Sequence, residues 1–202
     1  MNAQQRVHPI EARSYQIMES EIDFSRWPAG ARDLVKRMVH ATADESFAAT
    51  ALVGDSAVDA LVEALRSGAN VVCDANMVAA GVPSVAASRC VRCYLDAAVA
   101  VGGLTRSAAA VDAGARENLH GAIWVFGNAP TALARMLELH ESGTVDPAAV
   151  IGLPVGYVGA AEAKQALWAS PLRPVSVTNT GRRGGSAAAA AVLNAAWRLA
   201  QR

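Results

Sequence analysis

The sequence has no excess of charge of either sign: 18 basic and 18 acidic residues give a formal net charge of zero. Nucleic-acid binders carry a basic excess, so that class is excluded at the outset. Aromatic residues make up only 5%, and none interleave with basic residues into a platform on which bases stack. The chain lacks any run of about 18 uninterrupted apolar residues, so no membrane span is read. Met1 to Arg13 is polar, without the apolar run of a signal peptide. Cysteine is scarce, with Cys73, Cys90 and Cys93 only. Cys90-x-x-Cys93 is half of a closed zinc site, and no second pair or His-x-x-x-His follows it. The segment from Arg89 to Tyr94 reads as a strand, on which residues three apart face opposite sides. A redox pair would instead open a helix beside a strand. The thiols are therefore read as structural, in a reducing cytoplasm, and no metal is expected.

What is abundant is apolar material, 52% against 18% charged in 202 residues. That suits one domain with a large core. The pattern predicts a single α/β domain over residues 1–202, with residues 1–9 disordered. Two helices are expected between Glu11 and His40, the second opened by Pro28 and faced by Leu34, Val35, Met38 and Val39. Strands and helices then alternate. Thr50 to Val53 is a short apolar run, Asp55 caps a helix through Leu65, and Gly68 ends it. Asn70 to Asp74, Arg89 to Leu95, Gly121 to Phe126, Ala149 to Leu153 and Pro174 to Thr178 read as strands. Between them, Met77 to Gly81 is a short helix or turn stopped by Pro83. Longer helices are read from the cap Thr105 to about Leu119, from Ala129 to Glu141, and from Ala160 to Ala169. The Ala-rich stretch from Ser186 to Gln201 is a buried last helix. This alternation implies βαβ units and a mainly parallel sheet flanked by helices. The later strands are continuous apolar runs, as expected when both faces are covered.

Three strand-to-helix turns carry glycine. They are Phe126-Gly-Asn-Ala-Pro-Thr131, Leu153-Pro-Val-Gly-Tyr-Val-Gly159 and Thr178-Asn-Thr-Gly-Arg-Arg-Gly-Gly-Ser186. Ligands of open parallel sheets bind outside the carboxyl ends of the strands. Helix N-termini offer unpaired N–H groups to carboxylates or phosphates, and Arg182 and Arg183 add forked donors. A small anionic ligand is expected there. Known nucleotide motifs fail: no Gly-Lys-Ser/Thr follows a correctly spaced glycine, and Gly152-x-x-x-Gly156-x-x-Gly159 lacks the Gly-x-Gly start of a dinucleotide fingerprint. Among four histidines, His8 lies in the irregular start, His120 begins a strand and His140 sits late in a helix. His40 ends a helix four residues before a carboxylate, Asp44, a setting that tunes an imidazole for proton transfer. Spacing alone leaves a capping or packing role for His40 open.

Together these segments resemble the precorrin-8X methylmutase family, which includes the cobalt-precorrin-8 methylmutases of cobalamin synthesis. The resemblance is carried by Ile10-Glu-Ala-Arg-Ser-Tyr15, Arg37-Met-Val-His-Ala-Thr-Ala-Asp44 and Cys73-Asp-Ala-Asn-Met-Val78. Leu104-Thr-Arg-Ser-Ala-Ala-Ala-Val-Asp112, Val125-Phe-Gly-Asn-Ala-Pro-Thr-Ala-Leu133, Gly152-Leu-Pro-Val-Gly-Tyr-Val-Gly-Ala-Ala-Glu162 and Gly181-Arg-Arg-Gly-Gly-Ser186 extend it, so it covers about residues 10 to 195. It implies that a methyl group moves from C-11 to C-12 of a corrinoid ring, giving hydrogenobyrinic acid or its cobalt form. It also implies no added cofactor, a cytoplasmic homodimer and active sites near the subunit interface. The family's catalytic histidine falls on His40 and its substrate-contacting serine on Ser14.

A polycarboxylate macrocycle suits a local basic patch on a neutral chain, for which Arg13, Arg106, Arg182 and Arg183 are the candidates. Ser107, Asn128, Thr131, Gly156, Gly184, Gly185 and Ser186 complete the expected substrate-binding set. Tyr157, Ala163 and Ala134 stand where the family commonly has Phe, Ser and Phe. The strings around His40 and Arg106 lean toward the branch whose substrate carries cobalt. Two other readings compete: a corrinoid carrier that does no chemistry and does not need His40, and a phosphate-ligand α/β enzyme.

Overall fold

The structure, a computed structural model, describes residues 8–202. The expected disorder over 1–9 lies outside the described residues except at its end, where the helix has already begun. Helix α1 spans Pro9–Glu21, with Pro9 in its first turn and the His8 ring accepting from the Ile10 N–H. Proline costs nothing there because its missing N–H has no partner in a first turn. Helix α2, Ala29–Thr42, buries Ala31, Leu34, Val35, Met38 and Val39 along one stripe. It ends at Ala43, whose φ of 51° is left-handed, a conformation that costs a residue with a Cβ about 1–2 kcal/mol.

Helix α3 (Ser46–Thr50) leads into β1 (Ala51–Val53), α4 (Ala57–Ser67) and β2 (Val71–Cys73). Two short helices, α5 (Asn76–Ala80) and α6 (Pro83–Ala86), precede β3 (Val91–Cys93). Then α7 (Arg106–Ala115), β4 (Ile123–Phe126), α8 (Pro130–Glu141), β5 (Ala149–Gly152), α9 (Ala160–Ala169), β6 (Ser176–Asn179) and α10 (Ser186–Ala200) follow. The six strands form one sheet in the order β1-β6-β5-β4-β2-β3. Every pairing is parallel except that of β1 with β6, where Ala51 faces Asn179.

Successive strand side chains point to opposite faces, and both faces are covered. Val71, Cys73, Ile123, Val125, Ile151 and Val177 pack with α2, α4 and α10. Val72, Trp124, Phe126 and Val150 pack with α7, α8 and α9. Helix α10 lies in the middle of the first layer and is buried nearly all round. A helix apolar on every side can persist only in such a place, and its alanines let the neighbours approach.

Four local expectations change. Asp55 does not cap α4: Ser56 occupies the cap position without a side-chain bond. The Gly54 and Ser56 N–H groups instead reach the carbonyls of Ser176 and Pro174, which pins the strand end against β6. Pro83 opens α6 rather than stopping a helix, because its fixed φ suits a first turn. Helix α7 stops at Ala115, where the Asn118 amide turns back to the Gly114 carbonyl at 2.9 Å. The last strand begins at Ser176, after a 3-10 turn over Arg173–Val175. Thr105 does cap α7, its hydroxyl accepting from the Ala108 N–H at 3.2 Å.

Candidate active site

The parallel strands bring the three glycine turns to one rim, the carboxyl ends of β4, β5 and β6. Because β1 is antiparallel, the chain entering it arrives at that same rim, where Thr180 N–H bonds the Thr50 carbonyl at 2.9 Å. The end of α2 is thereby delivered beside the third turn. Asp44, one helical turn beyond His40, forms an ion pair with Arg183. Burial works to raise the Asp44 pKa, but hydrogen bonds from Ser46 and Arg183 outweigh it and hold the carboxyl low. The carboxylate expected to tune His40 is therefore engaged elsewhere.

His40 is held from α1. Its Nδ1 lies 2.9 Å from the Ser14 hydroxyl, and its ring packs on Tyr15 with centroids 5.1 Å apart. Glu11 organises the surroundings: it accepts from Arg37 at 2.6 Å, from Arg198 at 2.6 Å and from the Tyr15 hydroxyl at 3.3 Å. The Arg198 hydrogen bond is the main cause that lowers the Glu11 pKa. His40 itself sits below its ordinary value of 6.5, chiefly through burial and then through the positive charge of Arg37; Glu11 opposes this. The imidazole is thus mainly neutral at neutral pH, and its Nε2 has no hydrogen-bond partner among the described residues.

Of the three turns where a small anionic ligand is expected, the first already holds a carboxylate of the chain itself. Asp74, at the end of β2 and 3% exposed, accepts from the N–H groups of Gly127, Asn128 and Ala129 at 2.9, 2.8 and 2.7 Å. Strands β2 and β4 are neighbours whose following helices, α5 and α8, lie on opposite faces of the sheet. That is the topological switch point, where open sheets place ligands, and here the chain's own carboxylate fills it. Burial raises the Asp74 pKa, against the pull of the three N–H donors. Asn128 and Thr131 remain exposed on this turn, and the Thr131 and Thr105 hydroxyls are 2.8 Å apart.

The second and third turns are stitched together. Gly156 N–H bonds the Arg182 carbonyl at 3.1 Å, and Gly185 N–H bonds the Leu153 carbonyl at 2.8 Å. A Cβ on Gly184 would collide with the Leu153 carbonyl and lie 2.7 Å from that of Pro154, so only glycine permits the contact. Gly156 and Gly185, at φ of 151° and 126°, take backbone conformations that favour glycine. The N-terminus of α10, beginning at half-buried Ser186, has no side-chain cap from Gly185. Arg182 lies over the Tyr157 ring at 5.4 Å, and Val155, Tyr157 and Val158 are exposed beside it. Val99 and Val101, in the loop after β3, add exposed apolar surface.

The four candidate arginines are not equivalent. Arg13 and Arg182 are exposed without an ion pair among the described residues, whereas Arg183 is bound to Asp44. Arg106 is drawn back to the Leu95 carbonyl at 3.1 Å and to Asp96 at 3.4 Å, with Ser107 half-buried behind it at the start of α7. Sequence reasoning missed Asp74, the Glu11–Arg37–Arg198 cluster and Lys164 of α9. Lys164 is 1% exposed and donates to Asn179 Oδ1 at 3.0 Å and to the Arg183 carbonyl. Asp74 and Glu11 lay inside strings already singled out, but neither had a visible partner. Among the described residues no group of His, Cys, Asp and Glu is placed to hold a metal ion, and no helix is long and apolar enough to cross a membrane.

Fold and rim together describe an α/β protein of the open-sheet class, in which ligands generally bind at the carboxyl ends of the strands. The sequence profile described as precorrin-8X methylmutase matches residues 9–199. A precorrin-8X methylmutase of a Sinorhizobium species is 41% identical over 192 residues, 92% of this chain and 91% of the relative. A cobalt-precorrin-8 methylmutase of Salmonella typhimurium is 37% identical over 205 residues, 95% and 94% of the two chains. The crystal structure of a precorrin-8X methylmutase from Thermus thermophilus superposes with a TM-score of 0.84 at 35% identity, covering 95% of each chain. The chain belongs to the precorrin-8X methylmutase family, whose members are intramolecular methyl-shifting isomerases. Both substrate names occur among relatives of similar identity, so the lean toward the cobalt branch gains nothing from them.

Proposed function

We propose that this chain moves a methyl group from C-11 to C-12 of precorrin-8X or cobalt-precorrin-8, with His40 as the proton donor and acceptor. The observation that carries this reading is the placement of His40. Its Nδ1 is held by Ser14, and its helix is tied through Asp44 to the arginine-bearing turn. A proton passed from imidazolium Nε2 to a ring nitrogen or ring carbon makes the macrocycle electron-poor. That lowers the barrier for the migrating methyl. Return of the proton to Nε2 then leaves an isomer and an unchanged enzyme. A depressed histidine pKa makes the imidazolium a stronger acid once formed. Arg13, Arg182 and the α10 N-terminus suit the peripheral carboxylates, and Tyr157 with the exposed valines suits the apolar face of the ring. The reading takes the chain as one cytoplasmic α/β unit acting in a homodimer, with the active site near the subunit interface and no added cofactor. The phosphate-ligand alternative is weakened by Asp74, which occupies the crevice a nucleotide would use.

The test is conversion. The protein is incubated with precorrin-8X and, separately, with its cobalt form, and the visible spectrum is followed. His40→Ala is expected to bind hydrogenobyrinic acid and to lose turnover by about 10²–10⁴-fold. Wild-type turnover in H40A would remove His40 from the chemistry. Binding by wild-type protein without any conversion would favour the carrier.

A further inference from the structure

Long basic side chains are almost never fully buried without a carboxylate partner. Lys164 is buried, and no carboxylate bonds it among the described residues. Its ammonium is instead held by oxygens at the end of β6 and in the third turn, Asn179 Oδ1 and the Arg183 carbonyl. The Asn179 amide donates at 3.0 Å to the same Arg183 carbonyl and to that of Thr180. Two donors thus converge on one backbone oxygen of the turn that carries Arg182 and Arg183. We infer that Lys164 is a positioning residue for the anionic ligand: its buried ammonium fixes the backbone at Arg183 and lays a positive charge beneath the turn that receives the substrate's carboxylates. The inference rests on the polycarboxylate substrate proposed above.

The electrostatics support this role. Burial alone drives the Lys164 pKa down to about 8. The charged and titratable groups on the elements packed against α9 are Arg135, Glu138, His140 and Glu141 of α8 and Arg173 before β6; the third turn adds Arg182 and Arg183, the latter bound to Asp44, and α9 itself carries Glu162. Arg173, on the segment before β6, is stacked on Trp168 at 4.8 Å. No opposing charge among them offsets the burial. An anion docking on the turn would do so, and ligand binding would then favour the protonated lysine. The bound carboxylates supply what the fold withholds.

The experiment measures the Kd of hydrogenobyrinic acid by visible titration, and KM and kcat with precorrin-8X, for wild type, Lys164→Met and Lys164→Arg between pH 7 and 9.5. Losing a charge-assisted contact predicts a Kd about tenfold or more weaker for K164M at pH 7, with kcat nearly unchanged. K164R is expected to recover most of the affinity. Wild-type affinity is expected to fall by up to about tenfold per pH unit above pH 8, a limb absent from K164R. Equal Kd for wild type and K164M, or a wild-type Kd that stays flat to pH 9.5, overturns the inference. Should K164M fail to fold, the wild-type pH limb decides alone. A wild-type protein that binds neither hydrogenobyrinic acid nor its cobalt form overturns the methylmutase reading as well, whereas equal binding by wild type and K164M overturns only the role of Lys164.

Discussion

Asp74→Ala removes the carboxylate that three backbone N–H groups share, so it tests whether the switch point is closed from within. Gly127 and Ala129 are buried, while Asn128 is exposed enough for water to replace its lost partner. Each buried N–H left unsatisfied costs about 1–3 kcal/mol, and loss of a helix N-cap alone costs about 1 kcal/mol. Removing the carboxylate also relieves its own desolvation, which is the largest influence on its pKa. The balance is a loss of about 3–5 kcal/mol. In a chain of this length each kcal/mol moves Tm by about 2–4 °C, so the expected fall is on the order of 10 °C. Asp74→Asn keeps one acceptor but sets its NH₂ against a donor, and is expected to fall between wild type and D74A. Thermal unfolding followed by circular dichroism, with urea titration for the free energy, reads both variants. A D74A protein that melts within about 2 °C of wild type would refute the reasoning. So would a D74N protein with unchanged Tm and no turnover, since Asp74 would then serve chemistry rather than structure.

Gly184→Ala drives a methyl group into the carbonyls of Leu153 and Pro154; stability is expected to fall by about 1–3 kcal/mol, and hydrogenobyrinic acid is expected to bind more weakly as the two turns separate. If His40 must carry its proton to react, kcat/KM falls as pH rises through a value below 6.5, because burial and Arg37 lower its pKa. A flat profile from pH 5 to 8 would refute that requirement. Lys164 has a folded pKa of about 8 against 10.5 for the ordinary group. Between those values the unfolded chain holds a proton that the folded chain has lost, so this contribution makes stability rise with pH. The difference in unfolding free energy between wild type and K164M is expected to shift in favour of wild type by about 3 kcal/mol from pH 7.5 to 10.5. Urea titrations at the two ends measure it, and a constant difference would show that Lys164 does not titrate in that window.

Much of the fold was legible because apolar runs report burial directly. Val71 to Cys73, Ile123 to Phe126 and Ala149 to Gly152 are continuous because both sheet faces are covered. The alanines of α10 announced a helix buried all round. What could not be read are contacts between segments far apart in sequence. Asp74 and Gly127 meet only because β2 and β4 pair, and an Asp after a strand has many possible fates. Lys164 looks like an ordinary polar position on α9, and nothing local shows that the third turn closes over it. Ser14 could be linked to His40 only by family likeness, since their contact needs α1 laid on α2. Asp44 stood near His40 in sequence, and proximity suggested the wrong partner. Arg183, which reaches the rim from the other end of the chain, offers the stronger opposite charge.

The direction of β1 decides most about the site, and it left no mark in the sequence. A three-residue apolar strand reads the same whether it runs with its neighbour or against it, because side chains alternate identically in both. Pairing with β6 fixes the direction, through Ala51 with Asn179 and Val53 with Val177. Were β1 parallel, its entry would lie at the amino edge of the sheet, about 10 Å away along a strand of this length. The end of α2 would follow it. Asp44 would lose Arg183, and His40 would stand at the wrong edge from the glycine turns. The single antiparallel pair therefore brings the end of α2, which carries the histidine proposed to handle the proton, to the arginine-bearing turn through the Asp44–Arg183 ion pair.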